Sequence, residues 1–411
     1  MKNVVIISDL YYPDMSAPSA VIDKYVQVLK RDDICFHIVT VSYAYNIPQV
    51  RDRNIHFYYV SSIKTRIRAY ASHLQANGHR FIGGLLMKLV KFHSLLMHQI
   101  AYPFTTAWLI DAYYNETSKI IENNKIDCII SVSNTICSQF AALKIKETYP
   151  FVKWITFFTD PFTDHYIYYP QLKNKPALRK RHYSDELKIY NTADYNLLTA
   201  ELYKRAINEF HQDINKTYKI LYSLSKQNVE SDGHATASPL ITMIFAGALY
   251  KNIRNPEGML KVVSQTNNLK LDLYIKRNAC SDIVEHYLCD RIERKSVVGR
   301  EAYLKMINED YDILINIGND STLQTPSKML ELLSTGKPIA NFFKSKDEQY
   351  YLIEKYPLGI NIYSEDPLAP QLLEDFCVKN RNKRMAYADV EALFPENTIE
   401  RQASLLLKLI N

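Results

Sequence analysis

Apolar residues along this chain fall into two recurring patterns, short continuous runs and sets spaced three or four residues apart. Val4-Val5-Ile6-Ile7 is such a run, the pattern of a strand buried on both faces. Val21, Tyr25, Val28 and Leu29 then mark a helix between Pro18 and Lys30. Further strands are predicted over 36–41, 55–60, 128–132 and 154–158, with a helix near 138–147. Alternation of this kind predicts a parallel sheet with helical crossovers.

The pattern breaks at 223–239, SLSKQNVESDGHATASP, which is polar and turn-rich and reads as a linker. It then resumes. Strands are predicted at 242–246, 271–275, 312–317 and 338–342, with helices at 255–263 and 327–334. The expected fold class is therefore α/β, with two doubly wound Rossmann-like domains, 1–222 and 240–395, facing a cleft. The last segment, 399–410, carries a helical apolar stripe, and a C-terminal helix of about 396–411 is expected to pack back on the first domain.

Composition narrows the classes. Of the 411 residues, 47% are hydrophobic and 23% charged, so the chain is globular and not broadly disordered. Lys and Arg number 50 against 44 Asp and Glu, a net charge of +6 that does not by itself imply nucleic acid. Only 10 glycines are present, so any glycine-dependent loop has few candidates. The six cysteines form no C-x-x-C pair and read as buried reduced thiols of a cytosolic protein. The N-terminal apolar run is short and followed by Asp9, as in a first strand and not a signal peptide. The longest uncharged stretch, 92–110, contains His93, His98, Gln99 and Pro103 and is not expected to span a bilayer.

Candidate chemistry concentrates in two segments of the second half. No G-x-G-x-x-G turn, P-loop or G-x-S-x-G elbow occurs. Residues 316–342, NIGNDSTLQTPSKMLELLSTGKPIANF, run from a buried strand through a polar loop into a helix opened by Pro326-Ser327-Lys328. Such a helix N-terminus suits a phosphate, and Glu331 near its start can accept hydrogen bonds from a diol such as a ribose. Residues 245–257, FAGALYKNIRNPE, run from a strand into Gly247 and then Lys251 and Arg254, two cations able to neutralise a leaving pyrophosphate without a metal. The plain alternative for each segment is a strand–helix unit with solvated charges.

Together these segments resemble the nucleotide-binding half of the GT-B glycosyltransferases, specifically glycosyltransferase family four. The carriers are FAG-x-x-x-K-x-x-R-N-P-E and PSKMLELLSTGKPI, supported in the first half by VVIISDLYYPD, DCIISVSNTICSQFAALKIK and WITFFTDPF. The resemblance covers essentially the whole chain. It implies retaining, metal-independent sugar transfer from a nucleotide-sugar, with no cofactor. It implies Glu331 on the donor ribose, Lys251 and Arg254 on the diphosphate, Ser327 and Lys328 adding donors to it, and the base near Val298-Gly299-Arg300. Two positions depart from the family pattern. Leu323 stands where a first Glu often faces the sugar, with Asn319, Asp320 or Gln324 as substitutes, and Ser16-Ala17 stands where a Gly-Gly pair is common.

On the acceptor side Asp160 is the leading candidate, because it ends a buried strand and Pro161 fixes the turn after it. Asp14, Ser16 and Asn134 are further candidates. From Arg53 to Ile110 there is no Asp or Glu, while seven Lys and Arg and five His are interleaved with apolar residues. That reads as basic amphipathic helices for an anionic membrane surface, and it fits a lipid-linked saccharide acceptor. No nucleic-acid motif accompanies the charge. The expected setting is the inner face of the cytoplasmic membrane, in assembly of a surface polysaccharide such as a capsule or O-antigen. An epimerase of the same fold and a catalytically silent partner or membrane adaptor are the alternatives.

Overall fold

A computed structural model describes the chain except residues 1, 14, 31–32, 43–51, 102–106, 134, 166–174, 227–239, 252, 320–322 and 324–326, and the side chains of 94–101 and 175. The chain divides into two compact units. One is Met1–Leu221 together with Ile399–Asn411, and the other is Tyr222–Thr398. The linker proposed at 223–239 lies largely outside the described residues.

The first unit contains β1 (Lys2–Ser8), α1 (Ala17–Leu29), β2 (Ile34–Val41), β3 (Ile55–Val60), α2 (Ile63–Ala76), α3 (Arg80–Ala101) and α4 (Ala107–Asn123). It continues with β4 (Cys128–Val132), α5 (Cys137–Thr148), β5 (Lys153–Phe158), α6 (Lys175–Thr192), β6 (Tyr195–Thr199), α7 (Ala200–Asn208) and β7 (Thr217–Ile220). The strands form one sheet in the order β3-β2-β1-β4-β5-β6-β7, every pair parallel. Val4, Val5, Ile6 and Ile7 are fully buried because crossover helices cover both faces, which is why the run does not alternate. The strand order reverses between β1 and β4, and a sheet of this type opens a crevice at the carboxyl ends of that pair. Trp154, the largest buried side chain, donates its indole N–H to Ser131 Oγ at 2.7 Å, so its polar edge is satisfied.

The second unit contains β8 (Ile241–Ala246), α8 (Glu257–Ser264), β9 (Leu269–Tyr274), α9 (Ser281–Tyr287), β10 (Ile292–Lys295), α10 (Arg300–Glu309) and β11 (Ile313–Ile317). It continues with α11 (Lys328–Leu333), β12 (Ile339–Phe343), α12 (Glu348–Lys355), β13 (Gly359–Tyr363), α13 (Ala369–Asn380) and α14 (Tyr387–Leu393). Its sheet is again all parallel, in the order β10-β9-β8-β11-β12-β13. Asn316, Asn341 and Asn361 occupy matched positions on three neighbouring strands. Asn316 donates to Asn341 Oδ1 at 2.7 Å and Asn341 donates to Asn361 Oδ1 at 2.8 Å. A slip of one strand would bury unpaired amides, so this ladder helps hold the register.

The final helix, α15 (Ile399–Ile410), belongs to the first unit. Lys153 donates to the carbonyls of Leu409 and Ile410 at 2.9 and 3.1 Å, and Gln402 accepts the Leu221 backbone N–H at 3.0 Å. The first of these contacts satisfies carbonyls that a helix end leaves without partners. One cysteine departs from the sequence reading. Five are buried and free, but Cys289 is exposed, because it lies in the tight turn that pairs Cys289 with Ile292 ahead of β10. The predicted helix at 255–263 starts at Glu257, since Asn255 accepts the Glu257 N–H at 3.0 Å and holds the preceding residues in a turn.

Candidate functional site

The second unit gathers polar side chains around the carboxyl ends of β8 and β11. Strand β8 ends at Ala246 and Gly247 follows. The chain then turns back on itself, with Tyr250 and Arg254 exchanging backbone hydrogen bonds at 3.2 and 2.8 Å. That turn aims Arg254 inward. Its Nε and Nη2 both donate to Asn319 Oδ1, at 3.1 and 2.9 Å, and Asn319 is a buried residue just beyond β11.

Lys328, the first residue of α11, donates its ammonium to the Ala246 carbonyl and lies over the Tyr303 ring, 4.4 Å from its centroid. A Cβ placed on Gly247 would sit 3.8 Å from Lys328 Nζ and 3.9 Å from Arg254 Nη1. Two cationic heads therefore flank a residue without a side chain. A longer side chain there would occupy the space both heads face.

Glu331, in the first turn of α11, pairs with Arg300 at the start of α10, and its side chain is only 12% exposed. Burial lowers the Lys328 ammonium to a pKa of about 8; the Glu331 carboxylate pulls it up, and Arg254 and Arg300 push it further down. Burial, and next the Glu331 charge, push the Tyr303 phenol well up, so it stays a neutral donor. Lys328 thus lies within the fields of two guanidinium groups, Arg254 and Arg300, and of the Glu331 carboxylate.

The remaining donor-side candidates are placed as follows. Ser327 is exposed at the N-cap of α11, and Gly299 is exposed at the N-cap of α10, next to Arg300. Lys251 sits exposed at the tip of the turn, where its charge is felt by the Cys280 thiol, and it makes none of the contacts that join Arg254, Asn319 and Lys328. Leu323 is half-buried in a turn, while Asp320, Gln324 and Pro326 lie outside the described residues. Among the described residues no cluster of three or more His, Cys, Asp or Glu side chains could hold a metal ion.

In the first unit the corresponding strand ends carry a second polar group. Ser16 caps α1: its Oγ accepts the Ser19 N–H at 3.3 Å, and it donates to the Asp9 carbonyl at the same distance. Asp160 follows β5 and accepts from Thr159 Oγ1 at 3.1 Å. The loop after it is pinned from beneath. The fully buried Glu186 accepts the Thr163 N–H at 3.0 Å, and the buried Arg205 donates to the Thr163 carbonyl at 2.8 Å and to Asp164 at 3.0 Å. Asp14 and Asn134 lie outside the described residues.

Sequence reasoning passed over Asp9. It is the first residue after β1, beside the point where the strand order reverses. Tyr113 donates to its Oδ1 at 3.3 Å. Burial raises the carboxyl to a pKa of about 6, with the Tyr113 hydrogen bond and the Arg68 charge pulling the other way. The signal was available, since the first polar residue beyond a buried parallel strand lies where such sheets bind ligands.

No protein-family model matches the chain, and no curated protein sequence matches it. Solved structures match over its full length. It is similar to a lipopolysaccharide outer core galactosyltransferase, WaaB, in its apo form, at 12% identity and a TM-score of 0.60, covering 100% of this chain and 99% of that one. It is similar to sucrose-phosphate synthase from Thermosynechococcus elongatus, at 12% identity and a TM-score of 0.62, covering 100% and 98%. A putative UDP-N-acetylglucosamine 2-epimerase from Listeria monocytogenes also matches, at 12% identity and a TM-score of 0.55, covering 100% and 96%. At these identities the likeness establishes the fold, which is GT-B, with two parallel α/β sheets of seven and six strands.

Proposed function

We propose that this protein is a retaining glycosyltransferase. It takes a sugar from a nucleoside-diphosphate donor, without a metal, and passes it to a lipid-linked saccharide at the cytoplasmic face of a membrane during surface polysaccharide assembly. The observation that carries the donor half is the flanking of Gly247 by the Arg254 and Lys328 head groups. A diphosphate is an anion that a guanidinium and an ammonium so placed can bind, and it needs close approach where no side chain intervenes.

In this reading Arg254, steadied by Asn319, and Lys328 hold the diphosphate. Glu331 accepts hydrogen bonds from the ribose hydroxyls, with the base against Val298-Gly299-Arg300. The bond between the anomeric carbon and the diphosphate oxygen breaks as the acceptor oxygen bonds to the same face. The acceptor proton passes to the departing phosphate oxygen, so no protein nucleophile is required. The protein's contribution is to position the reactants and stabilise charge on the leaving group. Asp160 and Asp9 stand on the acceptor side.

The test is titration calorimetry with UDP, GDP and their sugars, followed by NMR of the product's anomeric configuration. Saturable binding, an EDTA-resistant transfer and a retained anomeric centre are expected. Interconversion of a free nucleotide-sugar with no acceptor would replace transferase by epimerase. No nucleotide binding at all would leave the silent partner or membrane adaptor.

A further inference from the structure

Helices α2 and α3 form a hairpin that turns at Asn77–His79, with Gly78 at φ +90°. Of the twenty large hydrophobic side chains exposed among the described residues, eight lie on this hairpin. On α3, Phe81, Leu85 and Phe92 recur four and seven residues apart and fall on one face, joined by Lys88 and widened by Leu89. Phe81 is 85% and Phe92 68% exposed. On α2, Ile63, Ile67 and Tyr70 make a similar exposed stripe, opposite the buried Thr65 and Ala69.

The hairpin cannot cover these stripes by itself. A Cβ on Gly83 would meet the Ala71 carbonyl and Gln75 Cγ at 2.6 Å each, so the helices already touch along the other side of α3. Leaving such apolar area wet is unfavourable, so it calls for an occupant.

The charge pattern identifies that occupant. Lys64, Arg66, Arg68, Arg80, Lys88 and Lys91 border the stripes, and neither helix carries an Asp or Glu. Protein interfaces are depleted of lysine at their cores, whereas cations around a Phe and Leu face are the signature of a helix lying in the headgroup layer. We infer that the α2–α3 hairpin is a membrane wedge. Its Phe81–Leu85–Leu89–Phe92 face enters the acyl boundary of an anionic bilayer while its Lys and Arg hold the headgroups.

This differs from adhesion by charge alone, because the inserted side chains hold the protein at ionic strengths that screen the cations. Among the described residues no helix is long and apolar enough to cross a membrane, so the wedge lies in the interface. Helix α2 starts three residues beyond β3, at the carboxyl end of the same parallel sheet that carries Asp9, and the Arg68 charge reaches the Asp9 carboxyl. The wedge therefore adjoins the acceptor end of the first unit. Its existence rests on the hairpin alone and does not require the proposed reaction.

The experiment is co-sedimentation of the full chain with phosphatidylcholine vesicles containing phosphatidylglycerol, at low salt and in 0.5 M NaCl as a screening arm of about 4 Å Debye length. Wild type is expected to pellet in both, with a salt-resistant fraction. The variant Phe81→Ser/Leu85→Ser/Leu89→Ser/Phe92→Ser should lose that fraction, with a partition coefficient down by at least about tenfold. Arg66→Glu/Lys88→Glu/Lys91→Glu should lose binding mainly at low salt. In a separate variant, Phe81→Trp, subtracted for the native tryptophans, should shift its emission to shorter wavelength on adding vesicles, which reads insertion directly. Three outcomes overturn the wedge: wild type released completely by salt, the serine variant pelleting like wild type, or sedimentation velocity showing a dimer that the serine variant dissociates. Nucleotide titration of the same variants keeps this result separate from the donor reading, since the substituted side chains lie in the first unit.

Discussion

Arg254 gives two hydrogen bonds to a single acceptor, the Oδ1 of Asn319, across the gap between the turn after β8 and the end of β11. The two residues are far apart in the chain, and the pairing of β8 with β11 brings their loops together. Nη1 also donates to the Ala248 carbonyl at 3.4 Å, so the guanidinium keeps a fixed orientation with Nη1 beside Gly247.

That geometry separates two cations the sequence treats alike. Arg254→Ala is expected to lower turnover about 100-fold, the scale of one lost donor to developing charge. Lys251→Ala should change it only a few-fold, because Lys251 stands outside the contacts that join Arg254, Asn319 and Lys328. Asn319→Ala should fall between them, acting through the freedom it gives Arg254, and should raise the donor KM as well as lower kcat. Steady-state kinetics of the three variants in EDTA checks the order. Equal losses from Lys251→Ala and Arg254→Ala would restore a shared role.

Lys328 should make donor binding depend on pH. Its folded pKa of about 8 lies below the ordinary lysine value of 10.5. The ammonium is thus charged below about 8, and affinity for a diphosphate should fall as pH rises through that region. A bound diphosphate stabilises the ammonium, so titration near pH 8 should take up protons, seen as a heat that varies with buffer ionisation enthalpy. Lys328→Arg should remove the uptake. The linkage to folding has the opposite sense. Between about 8 and 10.5 the unfolded lysine holds a proton that the folded one has lost, so stability rises with pH in that window. Denaturant titration of wild type against Lys328→Met measures it.

Glu331→Ala is expected to weaken nucleotide-sugar binding by about 1.5–3 kcal/mol, the worth of hydrogen bonds to a charged group. The same substitution removes the ion partner of Arg300. Free ribose-5-phosphate and the deoxy donor give the discrimination. A folded Glu331→Ala chain that loses no more affinity for the ribonucleotide than for its deoxy analogue does not use Glu331 on the sugar. Arg300→Ala should cost less, because Arg300 is the more exposed partner.

Asp9 should contribute an acidic limb to the activity profile. With a pKa near 6 it is mostly ionised at neutral pH and protonated below, so turnover should fall as pH drops through about 6. Asp9→Asn should reduce kcat and abolish that limb while leaving donor affinity unchanged, since Asp9 belongs to the other unit. A pH–rate series on both proteins is the measurement. The raised pKa also means the folded state binds more protons than the unfolded one between the ordinary carboxylate range and about 6. Asp9 therefore makes stability fall as pH rises through that window, and Asp9→Asn should remove this slope.

Much of the architecture was legible along the chain because parallel strands buried on both faces are written as unbroken apolar runs. Val4–Ile7 and Ile313–Ile317 need no knowledge of their neighbours to be recognised. The same holds for α15, whose stripe needs only a surface to cover. Gly247, Arg254 and the Ser327-Lys328-Glu331 segment could be nominated because each follows a strand end. The segments holding β6, β7, β10 and β13 and the helices among them carry polar or mixed patterns, and α6 in particular is rich in charge while burying His182, Glu186, Ile189 and Tyr190.

Tertiary structure alone decided which residues meet. Local pattern carries no information on the turn that sends Arg254 inward and Lys251 out, because both are cations on one short loop. It could not show that Lys328 lies against the Ala246 carbonyl or that Arg300 pairs with Glu331, since strand order sets those contacts. It wrote Asp9 as the polar end of a strand, and desolvation in the fold raised its carboxyl to a pKa of about 6 against the opposing Tyr113 hydrogen bond. The acid-free basic stretch was readable as charge, yet the exposure of Phe81, Leu85, Leu89 and Phe92 was not. An amphipathic helix has the same sequence whether its apolar face is packed on a sheet or left open, and only the close approach of α3 to α2 at Gly83 fixes which face is left over.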